Sequence, residues 1–576
     1  MKYASAIITR SSRARLAVMV FAVSFLLSCL PCSAADSVAR GAFAGDLFTA
    51  LGYPAAQEIV LPPDVPKSHP NAASIGSAVK YGLLPKGALS PDMPLTRRDG
   101  VRMTLSMMGW GFEASLYQKF EVLPDLGGSG DPIFFLAAEM APPAPGSLLL
   151  DGDTPLSLTG RDALLSWARN CAKYVSWNRV LSYQGVDLIL YRQGIAAPGV
   201  PRETKGGGIV GERPCEPLYI AALAVHASLI DERIAFSEPL GAGKAPMSFI
   251  SASYGAIGAV NGGFFHESRP LGSLKINGVA AGRAIPGRSA VGWNDGGAIA
   301  FGSGNLLAGV RTPSGFVEFT KFNVVPPPNE AALYTSNITA AAMGAPLDAI
   351  ELVVANGEVT ERREASASTH RTPQTGVLIV ARGASRRALE GFNVGDKIEI
   401  ISNWESEAFA YSTNIIQCGP MLLSEGRLTA DNETLKPDVL GKRHPRTIMG
   451  TDGTRVFWVV IDGRSALHSV GATMDETRLI AKSLSLTNAI NMDGGGSSQI
   501  IWRGVTVNKP SDGKERPIPY AVLMMPKGSP MTPRPAETLA PLGANSGTGG
   551  APGFGGEFGE WGYNGGVMMD TYDPKQ

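Results

Sequence analysis

The run "SLSLTNAI" (483–490) leads directly into "NMDGGGSSQI" (491–500), so an apolar, β-compatible stretch closes on one acid, three glycines and two serines. Asn491-Met492-Asp493 reads as the end of a buried strand, which puts Asp493 at the strand's mouth. Gly494, Gly495 and Gly496 carry no Cβ and accept positive φ, so a ligand can come close to their backbone N–H groups. A tight turn would use the same residues, and the choice between the two depends on what surrounds them.

What surrounds them is rich in strands. From about residue 176 the chain breaks into short apolar runs separated by Gly, Asn and Asp: "LYIAALAVH" (218–226), "GAIGAVNGGFF" (255–265), "AIELVVANGEV" (349–359), "GVLIVARG" (376–383), "DKIEIISNW" (396–404) and "RVFWVVIDGR" (455–464). The best helical pattern is 474–486, where Thr473 and Glu476 form a capping box ahead of Leu479, Ile480 and Leu484. Asp475 and Glu476 thereby have structural work. The pattern predicts an α+β protein whose strand-rich, mixed domain spans 176–527.

Residues 36–175 have a different texture, predicted to be a small helical repeat domain. "ARGAFAGDLFTALGY" (39–53), "TRRDGVRMTLSMMGW" (96–110) and "GRDALLSWARNCAKY" (160–174) each set a basic residue before a helical apolar pattern, with a period of about 60 residues. The units resemble S-layer homology modules, most closely at Thr96-Arg97-Arg98-Asp99, while the outer two lack the full Thr-Arg pair. That resemblance implies a cell-wall polymer as partner.

At 576 residues and 60.4 kDa the chain is long enough for several domains. Its 51 basic and 51 acidic residues cancel, which argues against nucleic acid or an acidic membrane surface as partner. Arg10, Arg13 and Arg15 precede "LAVMVFAVSFLLSCL", and "CSAADS" follows, the three regions of an export signal over 1–35. The apolar run falls short of the roughly 20 residues that a membrane helix needs. "LLSC" also reads as a lipobox, with Cys29 as the lipidated residue. Cys171, Cys215 and Cys418 remain for the mature chain, enough for at most one internal disulfide and without metal-ligand spacing. Residues 528–576, rich in Gly and Pro, read as a disordered tail.

Within 176–527 the polar residues recur at run ends. Asn261 precedes Gly262-Gly263 much as Asp493 precedes its glycines; Arg443, His444 and Arg446 stand just before a hydrophobic run, and Asp462-Gly463-Arg464 closes another. One helix lies between Asp462 and Asp493, so a β-loop-α-β path can bring both carboxylates to one sheet edge. Two acids, several guanidinium groups and a Gly-rich loop suit an anionic, sugar-like ligand, since arginine grips phosphate bidentately. No pair of histidines has ligand-like spacing, and neither metal nor cofactor is expected.

In order, "AVNGGFF" (259–265), "QCGPMLL" (417–423), "RHPRTIMG" (443–450), "IDGR" (461–464), "VGATMDE" (470–476) and "NMDGGGSS" (491–498) resemble the phosphodiester glycosidase family over roughly 215–526. Two departures are His444 inside the Arg-Pro-Arg-Thr motif and Cys418 where a small residue is usual. The resemblance implies a mixed α and β fold and hydrolysis of the C1–O bond of a sugar-1-phosphodiester. Asp493 is then expected as nucleophile or general base, with Asp462 as its partner or as the group orienting Arg464. Arg446, helped by Arg443, Arg464 and His444, is expected to clamp the phosphate. Asn261 would bind sugar hydroxyls or an acetamido group, and Gly494, Gly495, Gly496 and Ser497 would donate to the ligand.

Two other classes compete with this reading. A wall-attached binding or envelope protein could hold a glycan polymer without cleaving it. A phosphodiesterase could cut P–O instead, but such enzymes usually hold two metals in His/Asp clusters that the sequence lacks. The export signal gives a first prediction: the secreted chain begins at Asp36, because Ser33 and Ala35 fit a signal-peptidase pocket. N-terminal sequencing checks it, and a lipid-modified Cys29 is the contrary result.

Overall fold

The computed structural model describes residues 37–533, apart from 122–130, 199–215, 238–242, 296, 336–347, 365–375, 431–432 and 434. The expected signal (1–35), Cys215 and most of the expected tail (534–576) lie outside the described residues. Cys171 and Cys418 are buried, and neither forms a disulfide among the described residues.

The three repeat segments form helices Arg40–Ala50, Arg97–Met107 and Leu158–Lys173. Thr96 and Ser157 cap the second and third, accepting from Asp99 N and Gly160 N, whereas Ala39 offers no side-chain cap to the first. The residues just before the helices close a ring of backbone bonds: Val38 N to Leu156 O (3.2 Å), Leu156 N to Leu95 O (2.7 Å) and Leu95 N to Val38 O (2.8 Å). The similar segments therefore meet around a common centre. Helices Ala72–Lys80, Gly111–Glu121 and Pro132–Glu139 complete the module.

Helix gives way to strand between Lys173 and Ser176, yet one apolar core crosses that point. It runs from Phe43, Leu47 and Trp110 of the helices through Trp177 to Trp458, Trp502 and Tyr520 of the sheets. An eight-stranded antiparallel sheet carries, in order, Ser176–Tyr183, Val186–Gln193, Leu218–Val225, Val456–Ile461, Arg446–Thr451, Asn488–Asn491, Met421–Ser424 and Arg427–Leu428. A five-stranded antiparallel sheet of Val505–Thr506, Ile500–Trp502, Gly258–Asn261, Tyr520–Pro526 and Ile230–Phe236 packs against it. A seven-stranded sheet between residues 306 and 404 has its own core around Val310, Leu333, Leu352 and Ile379. The helix expected at 474–486 spans Met474–Ser483, with the Thr473/Glu476 capping box in place.

Strand direction fixes the site. Arg446–Thr451 runs antiparallel to both neighbours, Val456–Ile461 and Asn488–Asn491, so those two end where it begins. Pro445, Asp462 and Asp493 consequently share one sheet edge. Gly419 joins them by donating its N–H to Asn491 O at 3.0 Å.

Behind this edge the sheets bury an acid. Glu232 accepts from the Trp458 indole N–H through its side chain and from Trp293 through its main-chain carbonyl. Burial pushes its carboxyl up to about 7, against the smaller, lowering effect of the Trp458 bond. A folded pKa above the unfolded one favours the neutral acid, so stability falls as pH rises from about 4.5 through about 7 and stays lower above that. Glu232→Gln should therefore stabilise the protein at pH 8 by roughly 1–3 kcal/mol and change little at pH 4. Urea unfolding at the two pH values measures the difference.

Candidate active site

Asp493 follows the strand Asn488–Asn491 and precedes a single 3-10 turn, Gly495–Ser497. Gly495 takes φ +63, the left-handed conformation that makes a glycine necessary, and its N–H donates to Pro445 O at 2.9 Å. Asp493 is half-buried at the mouth of the loop. Burial raises it to about 6, while the Ser497 hydroxyl, the charge of Arg516 and the Gly494 N–H pull the other way. The group is thus poised to change charge near neutral pH.

The loop is held from behind by Asn261. Its Nδ2 donates to Asp493 O (2.8 Å) and Gly262 O (3.2 Å), and its Oδ1 accepts from Thr447 Oγ1 (2.9 Å) and Gln499 N (3.2 Å). All four hydrogen-bonding positions of this buried amide are filled, so Asn261 positions Asp493 and has none left for a sugar.

Arg446 and Arg443 also depart from expectation. Arg446 is buried, and its guanidinium donates to the carbonyls of Ala472 (2.9 Å), Val439 (2.6 Å) and Lys442 (3.1 Å). It braces the backbone and does not face a ligand. Its charge still reaches the site: burial first, then the neighbouring Arg464, lowers it to about 10. Arg443 is buried between Glu476 and Glu216, each at 2.7 Å, with the bond to Glu476 bidentate. Both side chains are buried and serve as internal ties.

Asp462 reaches the same edge as Asp493, but its carboxylate turns into the protein. It accepts from Asn508 Nδ2 (2.9 Å) and Lys509 N (2.7 Å) and contacts His468 Nε2 at 2.8 Å. As a partner acid it is corrected to a buried positioning group; nor does it bond Arg464.

Arg464 and His444 do assemble with the Asp493 loop. Both are half-buried, 3.4 Å apart between Arg464 Nη2 and His444 Nδ1. The guanidinium lies over Gly495, 3.2 Å from where a Cβ would stand. Arg464 holds φ +61, uncommon for a non-glycine residue and found disproportionately at functional sites. Arg516, paired with Asp512 at 2.8 Å, packs against Gly496, which a side chain would displace.

On the other side of Asp493 stand residues the sequence reading passed over. The Cys418 thiol, pushed up by burial, lies within electrostatic range of Asp493, Arg288 and Glu433. Glu433 is buried; its Oε1 accepts from Ser289 Oγ (2.6 Å) and Met421 N (3.2 Å), and its Oε2 has no hydrogen-bond partner. Arg288 stacks on the half-buried Phe264 ring at 5.2 Å. Tyr520 Oη accepts from Gly263 N at 2.8 Å and closes the floor. Cys418 and Gly263 appear in the quoted motifs, but no local spacing marks Arg288, Glu433 or Arg516. Among the described residues no group of three His, Cys, Asp or Glu could hold a metal ion.

Residues 348–525 match the family model for phosphodiester glycosidases. A prophage-derived uncharacterized protein of Bacillus subtilis, YomE, is 42% identical over 81 residues, 14% of this chain and 12% of its own length. Three solved structures each align with 61% of this chain. They are a hypothetical protein from Synechocystis (20% identity, TM-score 0.46, 76% of that chain), a putative exported protein from Burkholderia pseudomallei (19%, 0.48, 97%) and the zebrafish N-acetylglucosamine-1-phosphodiester alpha-N-acetylglucosaminidase catalytic domain (13%, 0.29, 87%).

The geometry separates the two arginines by experiment. Arg446→Ala strands buried carbonyls and should cost about 3 kcal/mol or more. Arg464→Ala, at the loop surface, should stay within about 1 kcal/mol of the parent. Guanidinium denaturation of both variants ranks them, and equal stabilities would contradict the assignment.

Proposed function

We propose that the chain is an exported hydrolase that cleaves the C1–O bond of a sugar-1-phosphodiester at the cell envelope. The observation that carries this reading is the placing of Asp493, an acid poised near pH 6, beside the guanidinium groups of Arg464 and Arg516 on one Gly-rich loop. The family match at 348–525 supports the reaction class. In such a substrate the leaving group is already a weakly basic phosphate, so stabilising its charge does most of what a general acid does elsewhere. Arg464, Arg516 and His444 hold the phosphate, and buried Arg446 adds positive potential beneath them. Asp493 attacks C1 or activates the attacking water. Phe264, Arg288 and the free acceptor Glu433 Oε2 receive the sugar. In this reading the signal at 1–35 exports the chain, and the helical units of 36–175 hold a cell-wall polymer.

Asp493→Asn should lower turnover of an aryl sugar-1-phosphodiester by at least about a hundredfold, the lower range for a lost acid–base group. The parent's kcat/KM should rise with pH through about 6 as the carboxylate forms, then level. Arg464→Ala should weaken binding and slow cleavage together, since the phosphate is held in both ground and transition states. Hydrolysis in heavy-oxygen water should label the sugar's C1 hydroxyl. Label in the released phosphate monoester means P–O cleavage and removes the roles given to Asp493 and Arg464.

A further inference from the structure

Where the helical module meets the sheets, a line of charged side chains is sealed from water. Glu113 and Arg192 are 0% exposed, His468 2% and Asp462 1%. Glu113, on the helix Gly111–Glu121, lies 3.4 Å from both Arg192 Nε and His468 Nδ1, and His468 Nε2 lies 2.8 Å from Asp462 Oδ2. The His468 ring is held between Phe112 of the same helix (4.9 Å, edge-on) and Tyr219 (4.8 Å). Burial pushes the Glu113 carboxyl up, but Arg192 and His468 outweigh it and keep it below its ordinary value, hence ionised.

The line continues towards Asp493. Asp462 Oδ1 accepts from Asn508 Nδ2, which also donates to Ser498 O (3.1 Å). The Ser498 hydroxyl is 3.0 Å from Thr447 Oγ1, which donates to Asn261 Oδ1, and Asn261 holds Asp493 O. From His468 to Asn261 these contacts join buried groups, and Asn261 carries the line to the half-buried Asp493.

The same helix makes further contacts with the five-stranded sheet and the segment after it. Phe120 packs edge-on against Trp502 (6.1 Å), and Lys119 lies within electrostatic range of Glu515, next to Arg516. Just upstream, Gly109 at φ +81 lies so close to Leu467 O that any side chain would collide with it, and Ala196 N donates to Met108 O at 2.8 Å. Leu467 belongs to the loop that joins Arg464 to His468. Buried charges are seldom kept for stability, because apolar replacements often match or exceed them. Their retention is explained if they fix a geometry.

We infer that the Gly111–Glu121 helix is a positioning element of the Asp493 site, with Glu113 acting through His468 and Asp462 on the loop 491–498. The helical module is thus part of the catalytic unit and not a detachable anchor. The inference rests on the proposed function only for its consequence on turnover, and its structural half is tested separately.

The test uses the full chain with Glu113→Gln, which keeps volume and removes charge. Amide exchange followed by mass spectrometry should show peptides covering 462–470 and 491–500 exchanging at least about threefold faster, with the 349–364 hairpin unchanged. On an aryl sugar-1-phosphodiester, kcat should fall about tenfold with KM within about twofold. Unchanged exchange in 491–500 overturns the inference, as does an equal rise in the hairpin, which marks general destabilisation. If Glu113→Gln does not fold, Glu113→Asp, which shortens the side chain and keeps the charge, takes its place with the same expected and contrary results. Should the parent lack turnover, the proposed function fails while the exchange data still decide the positioning role.

Discussion

The Asn261 side chain is the tie on which the site depends. A single amide bonds four partners from three places in the chain: Gly262 beside it, Thr447 on the eight-stranded sheet, and Asp493 and Gln499 on either side of the glycines. Two sheets with different strand directions meet there. Their relative placement is fixed because leaving any of these buried groups unpaired costs about 1–3 kcal/mol. Asp493 can therefore stand at a strand mouth, away from the bulk of the solvent, without its backbone drifting.

Around that tie the protein separates charges buried in internal pairs from charges left half-buried at the loop. Arg443 stands just before the strand that Arg446 begins, yet one closes a triad with Glu216 and Glu476 and the other gathers three carbonyls. Arg464, in a left-handed backbone conformation just past the end of the next strand, is turned instead over Gly495. Both buried arginines add rigidity, and Arg446, bonded only to neutral carbonyls, also adds positive potential; the half-buried Arg464 lies beside His444 at the loop. A phosphate entering the loop would meet a field whose sources are already fixed, which is the condition for electrostatic stabilisation without reorganisation.

The helical module shares this economy of position. Its ring of backbone bonds through Val38, Leu95 and Leu156 organises three similar helices, and its core continues into the sheets through Trp110, Trp177 and Trp502. The Gly111–Glu121 helix packs against His468 through Phe112 and against Trp502 of the five-stranded sheet through Phe120.

The sequence by itself determined the elements whose causes are local. The capping box at Thr473, the strand-like run at 349–359, the strand mouth at Asp493 and the three repeated helices follow from periodicity and end signals a few residues long. Order along the chain also allowed Asp462 and Asp493 to reach one edge. Which way each side chain turns there was decided only in three dimensions. Asp462 faces His468 and Asn508, Asn261 is filled by Thr447 and Gln499, and Glu433 and Arg516 arrive at the loop from elsewhere in the chain. The physical reason is that a buried polar group takes whatever partners the packed sheets and the docked module bring to it, and those partners lie up to several hundred residues away, beyond the reach of any local pattern.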